Sequence, residues 1–400
     1  MPKKLPQKTI AFVLGIRPDI IRAALIMKYL EEAQDIKVVF IWSGQHYSDN
    51  LKGIFFRELK MRDPDIELDC HGTTDTEIGS QLLAKLYPVL EKLQPDAVAF
   101  LGDTNTLTGA LAAMLLNIPI IHIEGCWHSY DWRMPEEKYR TIGDHIADVI
   151  YTYEEEYKIR GIAEGLNPKN IVVVRNPIVD ILNEFYFKQK KRLTAMATPE
   201  FFAARGLKSG NYYFMTCHRR ENVHTLSSLK TILEFVAQAD APVYFPASYR
   251  TQKILAEEKL TLPKNVILTD PIGYEELLLL ITHAKAIFTD SGTLSEEASV
   301  LQIPCVNIRK STERPQIYDV RGAVKFDPSQ PKKYPPSLLY KKLKAITGTK
   351  WQHTLGDGKS SKRIATDIIK RLRSGKIRGH LPEDNHLPIS RSFIEDGIIV

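Results

Sequence analysis

The chain has 400 residues, 44% of them hydrophobic and 26% charged, and carries a net charge of +6. That length exceeds one ordinary domain and points to two. The composition excludes a mostly disordered, collagen-like or low-complexity chain, and apolar runs such as Leu277–Ile281 are far shorter than the ~18 residues of a membrane span.

At the start, Lys3, Lys4 and Lys8 precede the apolar stretch Thr9–Ile16, a faint likeness to a signal peptide. The stretch is short and runs into Arg17-Pro18-Asp19 without a small-residue cleavage site, so it reads as a buried first strand. Strands are predicted at Thr9–Leu14, Lys37–Trp42, Ala97–Leu101, Ile118–Ile123, Val149–Tyr153 and Ile171–Val174. Helical spacing appears at Ile20–Glu32 and Leu107–Leu116. The pattern pauses over Asn183–Ser209, rich in Lys, Ala and Gly, and then restarts. Strands at Tyr212–Thr216, Val243–Phe245, Val266–Thr269, Ala286–Thr289 and Cys305–Ile308 alternate with helices at Ser227–Ala237, Glu275–Ala284 and Leu294–Leu301. Such alternation predicts an α/β protein of two doubly wound, parallel-sheet domains. The expected divisions are 1–182, 205–358, a closing helix over 359–373 that packs back on the first domain, and a tail, 374–400. No repeat of 20–50 residues is visible.

The four cysteines, Cys70, Cys126, Cys217 and Cys305, are widely spaced with no CxxC pair. That is neither a disulfide framework nor a zinc signature, and it points to a reducing cytoplasm and no metal. Between Pro331 and Arg378, 14 Lys/Arg face only Asp357 and Asp367. The segment reads as a solvated helix face, since no RNA-binding aromatic motif accompanies it; neither nucleic acid nor membrane is an expected partner.

In doubly wound sheets ligands sit beyond the carboxyl ends of the strands, so chemistry is sought just after each strand. Gly15-Ile16-Arg17-Pro18 follows the first strand and places Arg17 near a helix N-terminus, where anions are favoured. Neither GxGxxG nor a Walker A motif is present there. Gly102-Asp103-Thr104 follows the third strand, Glu124 ends the fourth, and Pro135-Glu136-Glu137 follows a loop holding Trp127, His128, Tyr130, Asp131 and Trp132. Arg140 lies one helical turn beyond Glu136. Carboxylates converging from Asp103, Glu124 and Glu136 suit proton transfer, because crowding like charges raises some of their pKa values. In the second half, Cys217-His218-Arg219-Arg220-Glu221-Asn222 suggests a phosphate site. Asp290-Ser291-Gly292-Thr293 opens a helix whose backbone N–H groups would cradle a pyrophosphate, with Glu296 or Glu297 for ribose hydroxyls.

The order of these motifs resembles the UDP-N-acetylglucosamine 2-epimerase family. The pieces that match are GIRPDIIR (15–22), SGQHYSDN (43–50), GDTNT (102–106), HIEG (122–125), MPEEKYRTIGDH (134–145), NPIVD (176–180), HRREN (218–222), TDSGTLSEEA (289–298), RKSTERP (309–315) and GDGKSSKRI (356–364). The resemblance implies two Rossmann-like domains facing a cleft in the glycosyltransferase-B arrangement, a UDP-sugar substrate, a homodimer and no cofactor. It implies inversion at C2 by elimination and re-addition of UDP. Asp103, Glu124, Glu136 and His218 would be catalytic. Arg17, Arg22, Arg140, Arg219, Ser291, Gly292, Glu297 and Arg314 would bind UDP and substrate, with Glu297 on the ribose.

Several positions depart from the family pattern. Arg22 replaces a Lys, His128 an Arg, Thr293 a Gly, and Gln316 ends the usual ERPE. Gln45 of the effector site is kept, but Ser48, the segment Thr73–Thr76, and Tyr244 in place of a His do not match, so effector activation is not expected. Segments 43–56, 132–137 and 270–274 look closer to enzymes acting on UDP-2,3-diacetamido-2,3-dideoxy-glucuronate, and His128 or Arg133 could meet its C6 carboxylate. Four readings stay open: a non-hydrolysing epimerase, which the intact GDT, PEE and HRREN motifs favour; a hydrolysing one; a transferase on the same fold; and a nucleotide-sugar-binding protein without turnover.

Overall fold

The computed structural model describes residues 7–44, 52–72 and 74–379. It contains two parallel sheets. The first is built from β1 (Lys8–Leu14), β2 (Ile36–Trp42), β3 (Ile66–Glu67), β4 (Ala97–Leu101), β5 (Ile120–Ile123), β6 (Val149–Thr152) and β7 (Ile171–Val173), in the order β3-β2-β1-β4-β5-β6-β7. The second is built from β8 (Tyr213–Thr216), β9 (Val243–Pro246), β10 (Val266–Thr269), β11 (Ala286–Thr289), β12 (Cys305–Ile308) and β13 (Ala323–Phe326), in the order β10-β9-β8-β11-β12-β13. Helices cover both faces, so central strands are apolar along their whole length rather than alternating. Ala11, Phe12, Val13 and Leu14 of β1 are all buried, with Phe12 in register with Phe40 on one side and Ala99 on the other.

The strand order reverses between β1 and β4 in one sheet and between β8 and β11 in the other. At such a switch point the connecting chains leave in opposite directions and open a crevice. The two crevices face each other. The helix Ser360–Ser374 returns to the first sheet's unit: Asp180 accepts the Ser360 and Ser361 N–H groups (3.2 and 2.9 Å), Tyr151 donates to Asp367 (2.8 Å), and Arg373 pairs with Asp35 (2.6 Å). Among the described residues no helix is long and apolar enough to cross a membrane.

The structure departs from the sequence reading at several elements. The segment Asn183–Ser209 is not an irregular pause; it contains the helices Lys190–Met196 and Pro199–Ala203. The helix expected over Leu107–Leu116 opens as a tight 3-10 turn, Asn105–Gly109, before Ala110–Leu115. Strand β13 carries the charged Lys325, which hid it. The helix Asp75–Leu93 is absent from the sequence reading; it runs unbroken through Pro88, a residue that argues against a helix in the sequence, although its start has a sequence signature: Thr74 accepts from the Glu77 N–H (3.2 Å) while the Glu77 carboxylate accepts from the Thr74 N–H (3.1 Å).

Candidate active site

A cavity of about 540 Å³ lies between the two switch points. Its walls include Arg17, Asp19, Arg22, Asp103, Glu124 and Glu136 from the first unit, and His218, Arg219, Ser291, Gly292, Glu297 and Arg314 from the second. That size suits a small-molecule ligand. Among the described residues no group of three or more His, Cys, Asp or Glu is placed to hold a metal ion.

The carboxylates occupy unequal environments. Asp103 follows Gly102, whose positive φ of 81° allows the tight turn off β4. Burial would raise its proton affinity, but Arg140 (2.7 Å), Arg219 and Arg314 outweigh that and hold the carboxyl well below its usual range. Glu124 sits beyond β5 with φ 76°, an uncommon conformation for a residue with a side chain. Its proton affinity is raised by burial, against the opposition of Arg22, Arg314 and Arg140. Tyr153, at the end of β6, donates to its Oε2 (3.0 Å). Glu136 opens the helix Pro135–Ile146 at the rim, 3.6 Å from Arg219. Two carboxyls driven in opposite directions at one site can divide the roles of proton donor and acceptor.

Three of the predicted binding arginines are committed to protein carboxylates. Arg140 is buried and absent from the cavity wall; it lies behind Asp103 (2.7 Å) and Glu124 (3.6 Å) and positions them, which corrects its expected place on the substrate. Arg22 spans the two units, with Nη1 2.9 Å from Glu124 and Nη2 3.0 Å from Glu296. Arg314 reaches Glu296 through Nε (2.8 Å), pairs with Glu313, and lies over the Trp127 ring at 4.2 Å. A Cβ at Gly292 would press on the Arg314 guanidinium and force that side chain to move.

The cavity wall also carries the cationic groups Arg17, Arg219 and Arg220. Arg17 lies over the Phe55 ring at 5.6 Å. The helix N-terminus beside it is less open to anions than its sequence suggests, because Asp19 already accepts the Gly15 and Ile16 N–H groups (3.1 and 3.2 Å). Burial pushes that carboxyl up to about 8, against those two hydrogen bonds. Asp290, buried at the end of β11, accepts the backbone N–H groups of His218 (2.9 Å) and Arg219 (2.8 Å) and so aims both side chains. Burial lowers the His218 pKa, and Asp290 opposes that shift. Ser291 does not offer a free N–H: it donates to Thr289 Oγ1 (2.9 Å), while its own Oγ accepts from Leu294 (3.3 Å). The cradle falls to the N–H groups of Gly292 and Thr293, which have no acceptor among the described residues. Glu297 faces the cavity, accepts from Tyr274 (2.8 Å), and is raised by burial to about 7.

These features coincide with known proteins. A family model, UDP-N-acetylglucosamine 2-epimerase, matches residues 28–370. The UDP-N-acetylglucosamine 2-epimerase of Methanocaldococcus jannaschii is 35% identical over 366 residues, 89% of this chain and 97% of that protein. The chain belongs to the UDP-N-acetylglucosamine 2-epimerase family. A UDP-2,3-diacetamido-2,3-dideoxy-D-glucuronate 2-epimerase from Pseudomonas aeruginosa is also similar, 33% identical over 306 residues, covering 75% of this chain and 83% of that protein. The crystal structure of the M. jannaschii enzyme in complex with UDP-GlcNAc and UDP superposes with a TM-score of 0.83 at 33% identity, covering 90% of this chain and 99% of that one. The enzyme is thus an α/β epimerase of two facing parallel sheets.

Some positions at which this member departs from the family pattern lie away from the cavity. His128 is buried between Glu137 (2.7 Å) and Asp144 (3.2 Å), and Arg133 is exposed on Asp131; neither meets the cavity, which corrects their reading as partners for a sugar carboxylate. Tyr244 is buried inside β9, and from the end of that strand Pro246, Ser248, Tyr249 and Arg250 reach the cavity instead. Gln45, Ser48 and Thr73 lie outside the described residues, as does the tail beyond Gly379. Sequence reasoning missed Asp19, Tyr153, Asn176 and Asp290. Asp19, Asn176 and Asp290 lie within motifs that match the family, and Tyr153 ends a predicted strand; those were the signals that could have found them.

Proposed function

We propose that the protein inverts C2 of a UDP-2-acetamido sugar by eliminating and re-adding UDP. The observation that carries this reading is the pairing, in one cavity, of Asp103 held ionised and Glu124 raised by burial, together with Arg17, Arg219 and helix N–H groups that have no acceptor among the described residues. A carboxylate takes the C2 proton; its electron pair forms the C1–C2 double bond as the C1–O bond breaks towards UDP, leaving a 2-acetamidoglucal. UDP then adds back at C1 as a carboxylic acid returns a proton to the other face of C2. Glu136, at the rim, completes the set of acid/base groups. Arg17, Arg219, His218 and the N–H groups of Gly292 and Thr293 stabilise charge as it develops on the diphosphate. Glu297 accepts from ribose hydroxyls. The sequence is redox-neutral and calls for no external oxidant.

The candidate substrates are UDP-N-acetylglucosamine and UDP-2,3-diacetamido-2,3-dideoxy-glucuronate, on which the similar proteins are named as acting. The product would feed surface polysaccharide synthesis, with the enzyme a homodimer. Four buried, unpaired thiols agree with a reducing cytoplasm.

Incubation with each UDP sugar in D2O, followed by NMR, tests the reading. Deuterium at C2 with UDP still attached supports it. Free UDP with a free 2-epimeric sugar assigns hydrolysis instead, and absence of exchange with either sugar overturns it.

A further inference from the structure

Residues Glu296 and Glu297 are adjacent on the helix Gly292–Val300 but face different surroundings. Glu297 lines the cavity; Glu296 does not. Glu296 is fully buried, and its carboxylate collects three donors: Arg22 Nη2 at 3.0 Å, Arg314 Nε at 2.8 Å and Asn176 Nδ2 at 2.9 Å. Arg22 and Asn176 come from the first unit, Arg314 from the second. Thr293, one helical turn before Glu296, adds its hydroxyl to Arg22 Nη2 at 3.1 Å.

The two arginines held by Glu296 are also those that face Glu124. Arg22 Nη1 is 2.9 Å from Glu124 Oε2, and Arg314 Nη2 is 3.7 Å from Oε1. Two carboxylates therefore share two guanidiniums, and all four groups are buried. A guanidinium presents several donors in a rigid planar fork and can meet two carboxylates at once; an ammonium on a flexible stem cannot fix that geometry. This gives a joint purpose to two departures from the family pattern. Arg22, in place of Lys, and Thr293, in place of Gly, are in direct contact.

We propose that Glu296 is a positioning residue of the reaction, holding Arg22 and Arg314 in a fixed attitude on Glu124 so that this acid/base group is completed only when the two units are packed together. Glu296 touches no substrate. It shares the two positive charges with Glu124 and limits how far they stabilise the Glu124 carboxylate. The groups facing Glu124 are Arg22, Arg314, Arg140, Asp103, Tyr153 and, more distantly, Asp19. Removing the charge of Glu296 leaves the surroundings of Glu124 more positive, so Glu124 gives up its proton more readily.

The inference rests on the epimerase reading for its role in turnover, but its electrostatic part can be measured without turnover. In Glu296→Gln, the carboxyl signal of Glu124, identified in [5-13C]glutamate-labelled protein by its loss in Glu124→Gln, is expected to titrate about one pH unit lower than in the wild type. In the D2O assay, kcat for C2 exchange is expected to fall about 10–100-fold, KM to stay within about threefold, and the pH limb set by Glu124 to move to lower pH. Affinity for UDP alone is expected to be unchanged. Thr293→Val, which keeps the shape and removes one acceptor from Arg22, is expected to move the same titration the same way by a smaller amount, and it supplies the test if Glu296→Gln does not fold. An unmoved Glu124 titration in a folded variant overturns the proposal. A wild type without exchange, but with the titration shifted in the variant, overturns the epimerase reading and leaves the coupling intact.

Discussion

At the scale of single residues, the cavity separates carboxyls by environment rather than by type. Asp103, held ionised by Arg140, and Glu124, raised by burial, are chemically similar groups whose proton affinities are driven in opposite directions. Asp103→Asn is expected to cut turnover about 10²–10⁴-fold, the usual range for a lost acid/base group, with UDP affinity within a few-fold by calorimetry. Near-full activity would remove Asp103 from the mechanism. Asp19 makes a different prediction. Its folded pKa of about 8 lies above the ordinary aspartate value, so its contribution to stability is complete below about pH 4 and is lost as pH rises through about 8. Asp19→Asn keeps an acceptor for Gly15 and Ile16 without the ionisation. The melting temperature of the variant relative to wild type is therefore expected to climb between pH 5 and 8, and a flat difference would refute the buried carboxyl. Asp19 and Asp290 were invisible as site residues in the sequence because they act on backbone N–H groups, whereas Arg17, His218 and Glu297 were legible from their places after strands.

At the scale of elements, the loop from Glu124 to Met134 connects β5 to the helix that carries Glu136 and Arg140. Its positive φ values at Glu124, Cys126 and Tyr130 need support from neighbours. His128 supplies it, with one ring nitrogen towards Glu137 (2.7 Å) and the other between Asp144 (3.2 Å) and Glu164 (3.4 Å). Burial alone would lower its pKa; the hydrogen bonds to Asp144 and Glu137 override that and raise it to about 9, with Arg140 opposing. The folded value lies above the unfolded one, so this stabilisation is full below about pH 6.5 and is lost as pH rises through about 9. His128→Ala leaves buried carboxylates without their partner and is expected to cost about 3 kcal/mol near neutral pH. Urea unfolding at pH 6 and pH 9.5 checks this, and the cost should be smaller at the higher pH. Read from the sequence, His128 stood where it could face the substrate; only the path of the loop turns it inward.

At the scale of the whole molecule, the cavity exists only while the two units are in contact. Glu58, on the first unit, accepts the Tyr274 and Glu275 N–H groups (2.6 and 3.0 Å) at the start of a helix of the second. Across the cavity, Tyr157 donates to the Glu313 carbonyl (2.9 Å), Ser311 to Asp131 (2.7 Å) and Arg220 to Asp75 (2.7 Å). Glu58→Ala removes a helix cap of about 1 kcal/mol and, with it, a fastening between the units. Small-angle scattering is expected to show a larger radius for the variant than for wild type without ligand, converging when UDP is saturating. Equal radii without ligand would show that Glu58 does not hold the units together.

What the sequence determined by itself is local and periodic. The alternation of apolar runs with helical spacing set the two parallel sheets, and residues just after strands marked Asp103, Glu124, His218 and Ser291, because a parallel sheet delivers its ligand-facing positions at those places. The tertiary structure decided which side chains meet. Arg140 and Arg22 carry the same charge as Arg17 and stand in motifs of the same kind, yet Arg140 is placed behind the carboxylates, Arg22 between two of them and Arg17 on the open wall. Likewise Glu296 and Glu297 differ by one position along a helix, about 100° of rotation, and that turn sends one into the seam between the units and the other to the cavity. Charge pairing over such distances in sequence depends on how two sheets pack, and no pattern within either half records it.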